Sequence, residues 1–206
     1  MMNYFPSQDF DDWAETYDQS VAIDQFPFYG YDRVLETAVS SAKAKPGMRV
    51  LDLGTGTGNL AIHFAALGCE LWCTDFSSAM LEKAHVKLPQ AHFFLHDLRG
   101  EWPAELAGRF DRIVSAYLFH HFELNEKVRI VRELVSEHLV SGGWLVIGDI
   151  AFQNMTALEK IKAAAGDEWE DEFYWLADET LSALGNAGLQ AEYKKVSNCA
   201  GVFKIG

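Results

Sequence analysis

The sequence predicts an α/β fold: a doubly wound, seven-stranded, mostly parallel sheet with helices on both faces, a helical N-terminal cap and an antiparallel hairpin at the carboxyl end. Three observations predict it. Between Arg49 and Ile150 short apolar runs alternate with amphipathic segments, the pattern of parallel strands joined by crossover helices. The first apolar run closes on "VLDLGTGTGNLA", in which glycines at 54, 56 and 58 turn a strand into a helix. The last two strand-like runs are separated by only a short "NC" turn, too little chain for a crossover, so they pair antiparallel.

The elements follow in order. "RVLDLG" reads as the first strand, "GNLAIHFAALG" as a helix closed by Gly68, and "ELWCTD" as the second strand. "SSAMLEKAHVKL" is a helix with serine at its cap, "AHFFLHD" the third strand and "FDRIVSAY" the fourth. "NEKVRIVRELVSEHL" reads as a helix opened by Asn125, and "GGWLVIGDI" as the fifth strand. "TALEKIKAAAG" and "DETLSALGNAG" are helical, and "LQAEYKKVS" with "CAGVFKIG" forms the hairpin. Residues 1–48 lack a strand pattern and read as helices capping the core of residues 49–206, the whole making one domain.

Composition narrows the function. With 206 residues, 49% of them hydrophobic, the chain is long enough for one buried core. A formal net charge of -13, with no lysine- or arginine-rich run, sets it against phosphate backbones, so no nucleic acid partner is expected. No apolar stretch approaches the roughly 20 residues of a membrane span, and "MMNYFPSQDFDDW" has neither a basic nor an apolar leader region. No membrane association and a cytoplasmic location are the expectations. Three cysteines without metal-ligand or redox spacing read as reduced, buried thiols, and no metal site is expected.

The glycine loop asks which ligand it holds. A dinucleotide fingerprint needs its third glycine where this chain has Asn59. The loop still presents backbone amides near a helix start, which favours an anionic or carbonyl group. Asp52 beside it is awkward for a pyrophosphate and suits a bound cation, so an amino acid moiety matches both charges. Asp75 ends the second strand, where an acid accepts ribose hydroxyls. Asp97 ends the third, where an acid receives an exocyclic amine. As alternatives, Asp75 and Asp97 are capping residues, and Asp52 orders the loop amides.

On these residues the chain resembles the class I, Rossmann-like, S-adenosylmethionine-dependent methyltransferases of the small-molecule type. "VLDLGTGTG" is similar to the family's first motif, "CTDFSSAML" carries its ribose-binding acid, "LHDL" its adenine-side acid, and "FDRIVSAYLFHHF" its fourth motif. An antiparallel seventh strand is also a family feature. The resemblance implies S-adenosylmethionine as cofactor, with S-adenosylhomocysteine as product. It carries cofactor contacts onto Tyr17, Asp52, Gly54, Thr55, Gly56, Gly58, Asp75, Phe76, Met80, Asp97, Leu98, Ser115 and Ala116. Tyr17 lies in "WAETYD", which resembles a segment that closes over the methionine end of the cofactor, and it is equally readable as a packing partner of Trp13.

His120 and His121 follow the fourth strand and are the candidates for orienting or deprotonating the acceptor; the alternative is that one packs or caps the next helix. The Asn/Asp-Pro-Pro-Tyr motif of several nucleic-acid and protein methyltransferases is absent, which agrees with the charge argument. "DEWEDEFYWLAD" reads either as an acidic aromatic roof over an acceptor pocket or as a surface segment with an apolar face. The expected function is methyl transfer to a small-molecule acceptor. A non-catalytic cofactor-binding protein and, further off, an NAD-dependent oxidoreductase are the alternatives. The acceptor atom stays open, as does the choice between monomer and homodimer.

Overall fold

The structure, a computed structural model, describes residues 6–206; residues 1–5 of the expected cap lie outside the described residues. The elements are α1 (Ser7–Trp13), α2 (Tyr17–Val21), α3 (Tyr31–Ala42), β1 (Arg49–Leu53), α4 (Ala61–Ala66), β2 (Glu70–Asp75), α5 (Ser78–Lys87) and β3 (His92–Leu95). Then come β4 (Phe110–Ala116), α6 (Leu124–Glu133), β5 (Leu139–Phe152), α7 (Met155–Ala165), β6 (Trp175–Leu176), α8 (Ala177–Asn186), β7 (Ala191–Lys195) and β8 (Ala200–Ile205). The sheet order is β3-β2-β1-β4-β5-β8-β7, with the two-residue β6 pairing beside β5. β1 to β5 run parallel and β8 lies antiparallel between β5 and β7. The antiparallel ending is therefore where the short connection put it.

The alternating pleat divides the core. Along β1, Val50 faces one apolar layer with Val114, Val146 and Phe64, whereas Leu51 and Leu53 face the other with Ile113, Leu145 and Ile147. Val34, Leu35 and Ala38 of α3 close the first layer, and Ile130 and Val131 of α6 with Leu184 of α8 close the second. Both faces of the strands are thus buried, as a parallel sheet with crossover helices requires.

Among the boundaries that differ from expectation, three bear on the sheet and its rim. β3 stops at Leu95, so His96 and Asp97 lie in the loop beyond the strand end, at the rim of the sheet. α6 starts at Leu124 behind Glu123 rather than at Asn125, and its end widens into a π turn over Leu134–His138. β5 begins at Leu139, ahead of the glycine pair, because Phe110 of β4 already pairs with Leu139 before a register shift. Among the described residues no helix is long and apolar enough to cross a membrane.

α1 and α2 lie across the carboxyl ends of the strands. Asp11 accepts from Ser77 Oγ at 2.6 Å and from the Ala79 amide at 3.2 Å, adding an acid to the start of α5. Asp18 accepts from Asn59 Nδ2 at 3.0 Å and pairs with Lys87 Nζ at 2.7 Å. Asn59, standing where a dinucleotide fingerprint has its glycine, uses its other amide atom to accept from Lys87 at 2.8 Å. That position fastens the N-terminal helices to the loop.

Candidate active site

At the point where β1 and β4 part toward opposite edges of the sheet, the strand ends open into a cavity of about 510 Å³. This switch point is where open α/β sheets bind ligands. The loop after β1 forms its floor. Gly54, Gly56 and Gly58 all have positive φ, +64°, +54° and +90°, conformations that a Cβ makes costly. A Cβ on Gly54 would come within 2.8 Å of Leu118, whereas one on Gly56 would meet nothing within 4 Å. Gly56 lines the cavity, so its missing side chain leaves room for a ligand against the main chain.

Asp75 stands at the centre of this floor. Its Oδ2 accepts the Gly56 amide at 2.8 Å and its Oδ1 the Ser77 amide at 2.9 Å. Burial pushes its carboxyl up to about 6. Each carboxylate oxygen has capacity for a second donor, and Asp75 lines the cavity. Phe76, Met80, Asp97 and Leu98 line the same end. Asp97 is exposed and its Oδ1 accepts the Arg99 amide at 2.9 Å, which turns the chain just past β3.

Four of the sequence-predicted residues stand behind the lining. Asp52 is 1% exposed, neighbours Cys73 and Val114 across the ladder, and has neither carboxylate oxygen hydrogen-bonded among the described residues. Burial pushes its carboxyl up to about 8. Thr55 donates to the Asp52 carbonyl at 3.1 Å, and Ser115 donates to the Leu53 carbonyl at 2.8 Å. Gly58 packs against Leu88 and Ala84 of the α5 region. These residues shape the floor from beneath. Ala116 and Tyr17 line the cavity. Tyr17 packs edge-on against Trp13 at 4.8 Å, the packing partner that the sequence offered. The two rings belong to consecutive helices rather than to one.

The histidine pair lines the other end of the cavity. His120 and His121 sit in a short 3-10 turn after β4. His120 Nδ1 lies 2.6 Å from Asp149 Oδ1, and Asp149 Oδ2 accepts the His120 amide at 3.0 Å and Trp175 Nε1 at 2.9 Å. Asp149 is fully buried. Burial opposes both charges, yet the pair overrides it: His120 is held above its ordinary value by Asp149, and Asp149 below its own by His120. His121 is instead driven down by burial and by the neighbouring His120 charge. Phe10 meets the His121 ring edge-on at 5.5 Å.

The segment "WEDEFYW" crosses this end as an extended strap. Trp169 stacks on Phe26 at 5.2 Å, Glu172 and Tyr174 line the cavity, and the Phe173 amide donates to the His120 carbonyl at 3.0 Å. Lys127 is buried under it, donating to the Phe173 carbonyl with its ammonium 4.4 Å from the Trp175 ring. Burial lowers that ammonium to about 8. The sequence reading missed Asp149, Lys127 and Glu172. A lone acid inside the apolar run "WLVIGDI", and a lysine one turn before Ile130 and Val131 on the buried face of α6, were the available signals.

Known proteins resemble this chain in sequence and in fold. The family model described as a methyltransferase domain matches residues 50–143. An uncharacterized methyltransferase from Geobacillus thermodenitrificans is 33% identical over 198 residues, covering 89% of this chain and 88% of the relative. The structure of a DhpI–SAH complex superposes with a TM-score of 0.70 at 16% identity, over 97% of this chain and 94% of that one. Magnesium protoporphyrin IX methyltransferase from Synechocystis, with bound SAH, gives 0.67 at 20% identity, over 98% and 96%. The fold is that of the class I methyltransferases, and by the extent and identity of its relatives the chain belongs to the methyltransferase family.

Proposed function

We propose that the protein transfers the methyl group of S-adenosylmethionine to a small-molecule acceptor held at the histidine end of the cavity. The observation that carries this reading is the two-ended cavity: a glycine floor with Asp75 at one end and the Asp149–His120 pair at the other. The cofactor fits the residues present. Asp75 offers both oxygens to the ribose hydroxyls, Phe76, Met80 and Leu98 give apolar walls to the adenine, and Asp97 takes its amine. The open side of Gly56 admits the amino acid portion, with Gly54, Thr55, Gly58, Ser115 and Ala116 shaping its berth and Tyr17 closing over it. Asp52 lies buried beneath the loop with its carboxyl pushed up to about 8, so it is neutral while the site is empty, and a ligand ammonium group arriving above it favours its ionised form. Among the structural neighbours, the DhpI and magnesium protoporphyrin proteins carry SAH in their solved complexes.

S-adenosylmethionine supplies an electrophilic methyl on a sulfonium whose leaving group is a neutral thioether, so little acid catalysis is asked of the protein. This chain's residues mainly align the acceptor and exclude water, contributions worth several kcal/mol. Phe10, Phe26 and Tyr174 wall the acceptor end, His120 and His121 orient the acceptor, and His120, whose basicity Asp149 raises, takes up its proton where it has one. The strap and the N-terminal helices restrict entry to a small molecule, and the charge of -13 disfavours nucleic acid. The same reading places the protein in the cytoplasm, as one domain with residues 1–48 capping residues 49–206. Transfer of labelled methyl from S-adenosylmethionine into a panel of small thiols, amines and alcohols tests it. Incorporation that is lost in Asp75→Ala supports the reading. Tight binding of S-adenosylhomocysteine without transfer to any class would turn it toward a non-catalytic binding protein.

A further inference from the structure

His120, His121 and Glu172 each bring one ligand atom to the acceptor end of the cavity, and those atoms lie within 4.8 Å of one another. His120 Nε2 is 3.9 Å from Glu172 Oε2, and His121 Nδ1 is 3.6 Å from Glu172 Oε1. Both distances are too long for hydrogen bonds. The spacing matches something else. An ion with ligand distances of ~2.0–2.1 Å in tetrahedral geometry holds neighbouring ligand atoms ~3.3–3.4 Å apart, so small side-chain rotations close this set around one.

The support behind the histidine has the same character. Asp149 occupies His120 Nδ1 at 2.6 Å and is fixed in turn by Trp175 Nε1 and by the Ile150 amide at 2.8 Å. This leaves Nε2 as the ligand-bearing nitrogen. A buried carboxylate on the far nitrogen is the arrangement that orients metal-bound histidines and raises their basicity. Two cations stand near and both have protein partners: Lys127 donates to the Phe173 carbonyl, and Arg99 donates to the His121 carbonyl at 3.4 Å and faces Glu126 at 3.6 Å.

We propose that His120 Nε2, His121 Nδ1 and the Glu172 carboxylate form a binding site for a divalent cation of the zinc class, with its fourth position open to the cavity. Two imidazoles and one carboxylate are a borderline-soft donor set that suits zinc, and three protein ligands leave room for a bound molecule. The inference rests on the methyltransfer reading for what enters that fourth position. An acceptor thiol or hydroxyl coordinated there gives up its proton to solvent more readily, because the ion stabilises the anion. In the loaded protein His120 is a ligand rather than a base. No metal spacing is visible along the chain because Glu172 arrives from the strap, far in sequence from the histidine pair.

The test uses full-length protein stripped with a chelator and then titrated with Zn²⁺ in competition with a chromophoric chelator. The expected result is about one ion per chain, with binding weakened at least ~100-fold in both His121→Ala and Glu172→Gln, since each removes a direct ligand. Co²⁺ in the same site gives the visible bands of a tetrahedral centre, and both variants abolish them. Absence of Zn²⁺ binding, or binding unchanged in both variants and therefore held elsewhere, overturns the proposal. Titration of the stripped protein with S-adenosylhomocysteine separates the two readings. Cofactor binding without a zinc site removes this inference alone, whereas folded protein that binds no S-adenosylhomocysteine removes the function on which it rests.

Discussion

Asp149→Asn is the substitution whose cost follows most directly from the geometry. The carboxylate is fully buried and takes four donors: His120 Nδ1 and the Ile150 amide on Oδ1, the His120 amide and Trp175 Nε1 on Oδ2. An asparagine keeps one oxygen for two of these donors and turns an NH₂ group toward the other two. A buried donor left without an acceptor costs ~1–3 kcal/mol, so two cost ~2–6 kcal/mol. If His120 turns to the tautomer with a bare Nδ1, it accepts from the new amide and one loss is recovered, which sets the floor at ~1 kcal/mol. The central expectation is ~3–4 kcal/mol, equivalent to ~6–16 °C in melting temperature for a chain of this size. Urea denaturation with a shared m-value measures the first quantity and calorimetry the second. A loss below ~0.5 kcal/mol would refute the claim that Asp149 organises this end of the cavity through those four bonds.

Further predictions concern the cofactor end. Asp75→Ala removes the acceptor for two hydroxyls at ~1.5–3 kcal/mol each when the acceptor is charged, so S-adenosylhomocysteine affinity falls ~10²–10⁴-fold by calorimetry; a change under ~5-fold contradicts the assignment. Because the folded Asp75 carboxyl sits at about 6 against an ordinary 3.8, its ionisation opposes folding: stability from this group declines as pH rises from 3.8 to about 6 and is flat above. The ligand needs the ionised form, so affinity falls as pH drops below about 6, approaching tenfold per unit. Calorimetric titrations at pH 7, 6 and 5 read this directly, and a flat profile contradicts it. Gly56→Ala introduces a Cβ at φ +54° with nothing within 4 Å, so the fold loses only ~1–2 kcal/mol of backbone strain while cofactor binding is lost. Equal affinity in that variant would show that the ligand does not lie against Gly56.

What was legible in the sequence was what local pattern encodes. The glycine loop and Asp75 occupy strand ends, Asp97 lies just beyond one, and in a parallel sheet every strand end on one side faces the same cleft. The short hairpin connection fixed the antiparallel β8 for the same local reason. Asp97 shows the limit of such reading: it was expected to close β3, but pairing with β2 ends at Leu95 and leaves it in the loop. Asp149, Lys127 and Glu172 come from β5, α6 and the strap, and only tertiary packing brings them to the histidines. Their signals were violations of pattern, a charge within an apolar run or on an apolar helix face, which the sequence marks without naming a partner. The acidic aromatic strap had two readings because alternation in it is irregular: Trp175 turns into the core as β6, whereas Glu172 and Tyr174 turn to the cavity.

The measurement closest to the central claim is isothermal titration of the full-length wild-type protein with S-adenosylhomocysteine, run beside the nicotinamide dinucleotide NAD. The account predicts micromolar or tighter binding of S-adenosylhomocysteine, about one molecule per chain, and no heat from NAD, because the chain has Asn59 where a dinucleotide fingerprint needs its third glycine. Folded protein that ignores S-adenosylhomocysteine, or that binds NAD in its place, would contradict it.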